Sequence, residues 1–89
     1  MKIKLELFGA SRDFSDKDHL EIEIQNKASI DDLRNEIIKY IDKNFQGNEN
    51  FIKIVKSSAF CSENNKMISD NYKITKDQKI GIIPPIGGG

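Results

Sequence analysis

The sequence predicts a two-layer α+β domain, with one mixed sheet of about five strands and a single main helix across one face. Three observations carry that expectation. Residues 2–8 alternate apolar and polar, as a strand with one buried face does. Residues 29–43 carry apolar side chains at helical spacing behind a capping serine. A last apolar stretch, 79–83, follows the helix and runs straight into a proline- and glycine-rich end. One helix of about twelve to sixteen residues cannot cover two sheets, so it crosses one.

In the first strand Ile3, Leu5 and Leu7 point one way, and Lys2, Lys4, Glu6 and Phe8 the other. The small and polar residues from Gly9 to Asp16 read as a loop. Leu20, Ile22 and Ile24 then alternate with Glu21, Glu23 and Gln25 in a second strand, the expected hairpin partner of the first. His19, just before it, reads as a surface loop residue. Ser29 can cap the next helix, and Asp31 and Asp32 suit its positive end better than they suit acid–base work. Ile30, Leu33, Ile37, Tyr40 and Ile41 form its apolar stripe, with Lys39 and Lys43 near the negative end and Gly47 as the stop.

Between Phe51 and Cys61 the apolar residues Ile52, Ile54, Val55, Ala59 and Phe60 suggest one strand of unassigned register. Residues 62–66 read as a turn, Met67-Ile68 as a short returning strand, and 72–78 as a loop. Lys79 to Ile83 is the last strand, expected to pair with the first in the centre of the sheet. Residues 1–83 are thus expected to form the domain and 84–89 a flexible arm.

Composition narrows the function. A chain of 89 residues makes one small domain, burying roughly 60–65% of its unfolded surface. A deep catalytic pocket would compete with that core for side chains, which favours a binding or carrier module. Fourteen basic and fourteen acidic residues cancel, leaving no global field for nucleic acid or an anionic membrane. No apolar run is long enough to span a bilayer, and the alternating N-terminus does not resemble a signal peptide, so a cytoplasmic location is expected. The single cysteine, Cys61, excludes an internal disulfide and reads as a small buried hydrophobe. One histidine and one cysteine cannot make the usual zinc sets, so no bound metal or cofactor is expected.

The end, Pro84-Pro85-Ile86-Gly87-Gly88-Gly89, suggests chemistry. Two prolines keep the base of the arm extended, and glycines lack the Cβ that would block a narrow channel. A stiff base, a slim tip and a terminal carboxylate suit delivery into another protein's active site.

Three stretches carry a family resemblance. Leu7-Phe8-Gly9-Ala10-Ser11-Arg12-Asp13-Phe14 resembles a first-strand exit ending in an Ala-x-Arg-Glu type of loop. Ser29-Ile30-Asp31-Asp32-Leu33-Arg34 is similar to a Thr-Val-x-x-Leu-Arg helix start. Residues 76–89 resemble an Asp-Gly-Asp-Glu-Val-x-x-x-Pro-Pro-Val-x-Gly-Gly ending. Together they resemble the ubiquitin-like sulfur carriers of β-grasp fold, in particular the small subunits of molybdopterin synthase. Gln78 stands where the family has a turn glycine, and Asp13 where it has a glutamate.

The resemblance implies a carrier with no turnover of its own. Gly89 would be adenylated by an E1-like enzyme using ATP, converted to a thiocarboxylate, and would donate sulfur to cyclic pyranopterin monophosphate. Pro84, Pro85, Ile86, Gly87 and Gly88 would form the inserting tail. The implied partner is the large synthase subunit, in a heterotetramer of two small and two large subunits. Phe8, Arg12 and Phe60 are the candidate docking residues, with Ile86 a further one. Sulfur carriers of thiamine biosynthesis or tRNA thiolation, and ubiquitin-like protein modifiers, share the same terminal chemistry.

Overall fold

The computed structural model describes residues 1–85. In a five-stranded mixed sheet β1 (Lys2–Leu7) is hydrogen-bonded on one side to β2 (His19–Glu23) and on the other to β7 (Gln78–Ile83), the central strand. Beyond β7 lie β4 (Ala59–Cys61) and β5 (Met67–Ile68), giving the order β2-β1-β7-β4-β5. β1 and β7 run parallel with Leu5 opposite Ile80, and the other pairs in this sheet are antiparallel. The expected central pairing of first and last strands is therefore present. β3 (Ala28–Ser29) and β6 (Lys73–Ile74) form a separate two-stranded pair beside the helix start.

The alternation in β1 and β2 decides which face is buried. Ile3, Leu5, Leu20, Ile22, Ile80 and Ile82 all turn to one side and are buried. α1 (Ile30–Asn44) crosses that side and buries Ile30, Leu33, Ile37 and Ile41. Each such side chain contributes about 1.5–3 kcal/mol of transfer free energy before chain entropy is subtracted. Its N-terminus is a reciprocal cap. The Asp32 amide donates to Ser29 Oγ at 3.1 Å, and the Ser29 amide donates to Asp32 Oδ2 at 2.9 Å. The C-terminus closes through the Phe45 and Gly47 amides, both donating to the Ile41 carbonyl.

Four sequence expectations are corrected. The strand expected over Phe51–Cys61 is a helix followed by a short strand. α2 (Glu49–Ser57) takes most of it, leaving only Ala59–Cys61 for β4. β-branched side chains at Ile52, Ile54 and Val55 suggested a strand. The fold overrides that preference: Asn48 caps the Phe51 amide, and Phe51 and Val55, one helical turn apart, both turn inward. A second helix therefore accompanies the main one. The loop expected at 9–16 contains a 3-10 helix, Gly9–Phe14, and that at 72–78 contains β6, whose Ile74 is fully buried. His19 opens β2 and is half-buried rather than lying in a loop.

α2 seals the open end of the core with aromatic rings. Phe51 lies 5.1 Å from Phe14 and 5.0 Å from Phe45, between the 3-10 helix and the end of α1. Tyr40 donates its hydroxyl to the Phe14 carbonyl at 2.9 Å, tying α1 to the 3-10 helix.

Candidate functional site: the outer sheet face and the root of the tail

The face of the sheet turned away from α1 is divided. Toward the start of β1 it is charged, with Lys2, Lys4, Glu21 and Glu23 exposed and Lys79 paired to Glu6 at 2.8 Å. Toward the other end it is apolar. Registration places Gly81 opposite Cys61, Cys61 opposite Met67, and Ile83 opposite Ala59. Phe8 follows β1 directly and leans back over this row. Phe8 is 42% exposed, and Met67 is 63% exposed. Two large uncovered apolar side chains on one end of a sheet are the form an interaction surface takes.

The placement of Phe8 is built from its neighbours. The buried Ser11 hydroxyl donates to the Phe8 carbonyl at 2.6 Å and accepts from the Phe8 amide at 3.0 Å. One side chain thus holds both polar groups of the Phe8 backbone. The next residue, Gly9, has φ +54°, a conformation that favours glycine, and this turns the chain into the 3-10 helix. Below the ring, Gly81 leaves room for it. A Cβ there would fall 2.8 Å from Phe8 Cε2 and 2.8 Å from Cys61 Sγ. Cys61 is buried as expected, but on this outer face beneath Phe8 rather than among the core residues.

The tail leaves from this end. β7, held on both sides by β1 and β4, runs directly into Pro84. Pro84 is buried next to Gly9, where a Cβ would lie 3.9 Å from Pro84 Cδ, and Pro85 is exposed. Ile86, Gly87, Gly88 and Gly89, including the expected reactive position, lie outside the described residues.

The candidate docking residues separate. Phe8 is exposed on the apolar end, and Arg12 is exposed in the 3-10 helix with no ion pair to a described residue. Phe60 is corrected: it is 1% exposed, on the opposite face of the sheet from Phe8. Its partners Ile82 and Ile68 face the core with it, and the Arg34 guanidinium stacks 5.0 Å from its ring centroid. An undefined register over 51–61 hid this, since one residue of shift exchanges the two faces. Sequence reasoning also missed Met67 as a surface residue and Gly81 as a seat for the ring. The alternation of Lys79, Gly81 and Ile83 against Ile80 and Ile82 was the available signal.

Among the described residues no cluster of His, Cys, Asp or Glu could hold a metal ion, and no helix is long and apolar enough to cross a membrane.

No protein-family model matches the sequence, and no curated protein matches it. Solved structures do. A Pyrococcus furiosus chain described as a molybdopterin converting factor, subunit 1, aligns with a TM-score of 0.69 at 24% identity, covering 96% of this chain and 98% of its own. SAMP1 from Haloferax volcanii aligns at 0.68 and 11% identity over 100% of both chains. A ubiquitin from Caldiarchaeum subterraneum aligns at 0.60 and 17% identity, covering 100% of this chain and 98% of its own. The mixed sheet, the crossing helix and these end-to-end matches place the chain in the β-grasp fold of ubiquitin-like proteins.

Proposed function

We propose that this protein is a ubiquitin-like sulfur carrier, the small subunit of a molybdopterin synthase. One observation carries the reading: the central strand β7 delivers the Pro84-Pro85 segment at the same end of the sheet that exposes Phe8 and Met67. A partner seated on that apolar end has the tail beside it, ready to enter. The 24% identity to the molybdopterin converting factor subunit, together with the Pro-Pro-Ile-Gly-Gly-Gly sequence, supports this pathway above other carriers.

In the proposed cycle the Gly89 carboxylate attacks the α-phosphate of ATP on an E1-like enzyme, forming an acyl-adenylate and releasing pyrophosphate. A sulfur nucleophile then displaces AMP and leaves a thiocarboxylate. A free carboxylate is a poor electrophile, which is why activation is required. Glycine offers the least hindered carbonyl to the incoming sulfur. Pro85 to Gly88 then thread the tail into the large subunit, where the sulfur passes to cyclic pyranopterin monophosphate. This chain supplies the carrier and the docking face; the partner supplies the catalytic pocket. The assembly would hold two small and two large subunits.

A second reading is favoured by the match to a protein named small archaeal modifier protein 1, with a TM-score of 0.66. There the same acyl-adenylate would be passed to a lysine amine of a target protein.

Intact mass spectrometry after incubation with an E1-like enzyme, ATP and a sulfur donor tests the proposal. The expected product shows the mass gain of one sulfur replacing one oxygen at Gly89. Its absence overturns the carrier reading, and Gly89 linked to lysine amines instead would support the modifier. Phe8→Asp should weaken binding to the large subunit by about tenfold or more in calorimetry, as loss of an aromatic anchor does. Unchanged affinity would remove Phe8 from the docking face.

A further inference from the structure

A second surface lies at the other end of the sheet. β2 is one of the two edge strands of the order β2-β1-β7-β4-β5. Ile24 exchanges two hydrogen bonds with Met1, its amide donating at 2.9 Å and its carbonyl accepting at 2.7 Å. Hydrogen-bonded pairs alternate along an antiparallel ladder, so Ile22 and Leu20 also turn their backbone groups toward β1. The amides and carbonyls of Glu21 and Glu23 therefore face outward, with no strand among the described residues paired to them.

Beside this edge, between β2 and α1, runs an open groove of ≈ 840 Å³. Ile24, Ala28 and Ile38 give it apolar walls, and Glu23, Asp32 and Glu36 give it an acidic rim. Among the described residues, the one cationic side chain lining it is Lys39, which pairs with Glu36 at 3.2 Å. Open hydrogen-bonding groups, an apolar trough and a negative rim thus share one edge.

We propose that this edge accepts an extended basic segment of a partner protein as an added strand. Main-chain bonds to Glu21 and Glu23 supply the pairing, and alternate side chains supply the selection. On the helix side, apolar residues of the segment would rest on Ile24 and Ile38. On the outer side its Lys or Arg residues would lie opposite Glu21 and Glu23, which β1 already flanks with Lys4 and Lys2. A second copy of this chain does not fit, because antiparallel pairing of two β2 edges would face glutamate with glutamate.

The site requires no chemistry at Gly89 and so stands apart from the proposed carrier cycle. Lys2, opposite Glu23, lies beside the Gln78 end of β7, whereas the tail leaves beyond Ile83. The six residues of β7 separate the two, roughly 17–20 Å of strand. Both surfaces can be engaged together.

Proton–nitrogen correlation spectra of the full-length chain, titrated with a blocked Val-Lys-Val-Lys-Val-Lys-Val peptide, test the proposal. Saturable shifts are expected at Glu21, Glu23 and Gln25 and along α1 from Asp32 to Lys39. The same peptide methylated on the alternate amide nitrogens that would face β2 should not bind, nor should a version with glutamate for lysine. Glu23→Lys and Asn35→Lys, both at exposed positions, should together weaken binding by about tenfold, while the spectrum elsewhere stays that of the folded chain. No saturable shift at millimolar peptide, shifts centred elsewhere, or equal binding of either control peptide would overturn the proposal.

Discussion

A methyl group at Gly81 would have nowhere to go. It would meet Cys61 Sγ and Phe8 Cε2, each at 2.8 Å, so one of them must move. Phe8 is the one free to do so, being 42% exposed. Gly81→Ala should therefore lift the Phe8 ring from the sheet at a cost of about 1–2 kcal/mol in stability. Urea denaturation measures the cost, and the aromatic side-chain resonances of Phe8 measure the displacement. Adding Phe8→Ala should recover part of the loss, and strict additivity of the two changes would rule out the contact. Neither residue's role is visible alone. The sequence placed Phe8 on the polar side of β1, which is correct, but the side of Phe60 followed from a register that β-branched residues in α2 obscured.

Among the elements, α2 is closed by a side chain outside itself. Arg34 reaches from α1 to the Val55 carbonyl at 2.7 Å and the Ser58 carbonyl at 2.8 Å, and to Asp70 Oδ1 at 2.8 Å. A helix C-terminus leaves carbonyls unpaired, and this guanidinium serves those of α2 and anchors the turn after β5. Arg34→Met should cost about 1–3 kcal/mol, because it strands partly buried carbonyls. Arg34→Lys should recover little, since one ammonium cannot span that fork or stack on Phe60. A melting temperature equal to the parent's in either variant would exclude this role. The start of α1 behaves differently. The Ser29 amide and hydroxyl hold the Asp32 carboxyl below the ordinary aspartate value of 3.8. A carboxyl depressed in the native state contributes stability above its unfolded value and loses it as the pH falls through the native one. Asp32→Asn should therefore flatten the acid limb of stability below about pH 4 and leave its shape near neutrality unchanged. The serine and the two aspartates made this cap legible in the sequence. Nothing nearby announced that Arg34 would cap a helix end 21 residues downstream, because that contact exists only after the chain has folded.

For the whole molecule the governing feature is the parallel pairing of β1 with β7. Leu5 lies opposite Ile80, so the central contact of the sheet joins the two extremes of the domain. Closing so long a loop gives no enthalpic return until late, and folding should be limited by it. Refolding in milliseconds or slower is expected, and microsecond refolding by temperature jump would contradict it. The alternation of β1 and β2, the stripe of α1 and the apolar last strand predicted the two-layer α+β layout, and the family resemblance added the β-grasp fold. The seating of α2 and the short β3–β6 pair were not, since both depend on contacts that span the chain.

Because β7 is bonded along both edges, to β1 and to β4, tension applied at the tail is resisted in shear. Every backbone bond of that strand shares the load at once, instead of opening one by one as at a peeled edge. In the proposed cycle, a partner drawing on the arm would pull against a strand paired on both sides and not against a free edge. The body of the protein then serves as a mechanical stop, keeping its shape while the arm is held taut at the far end.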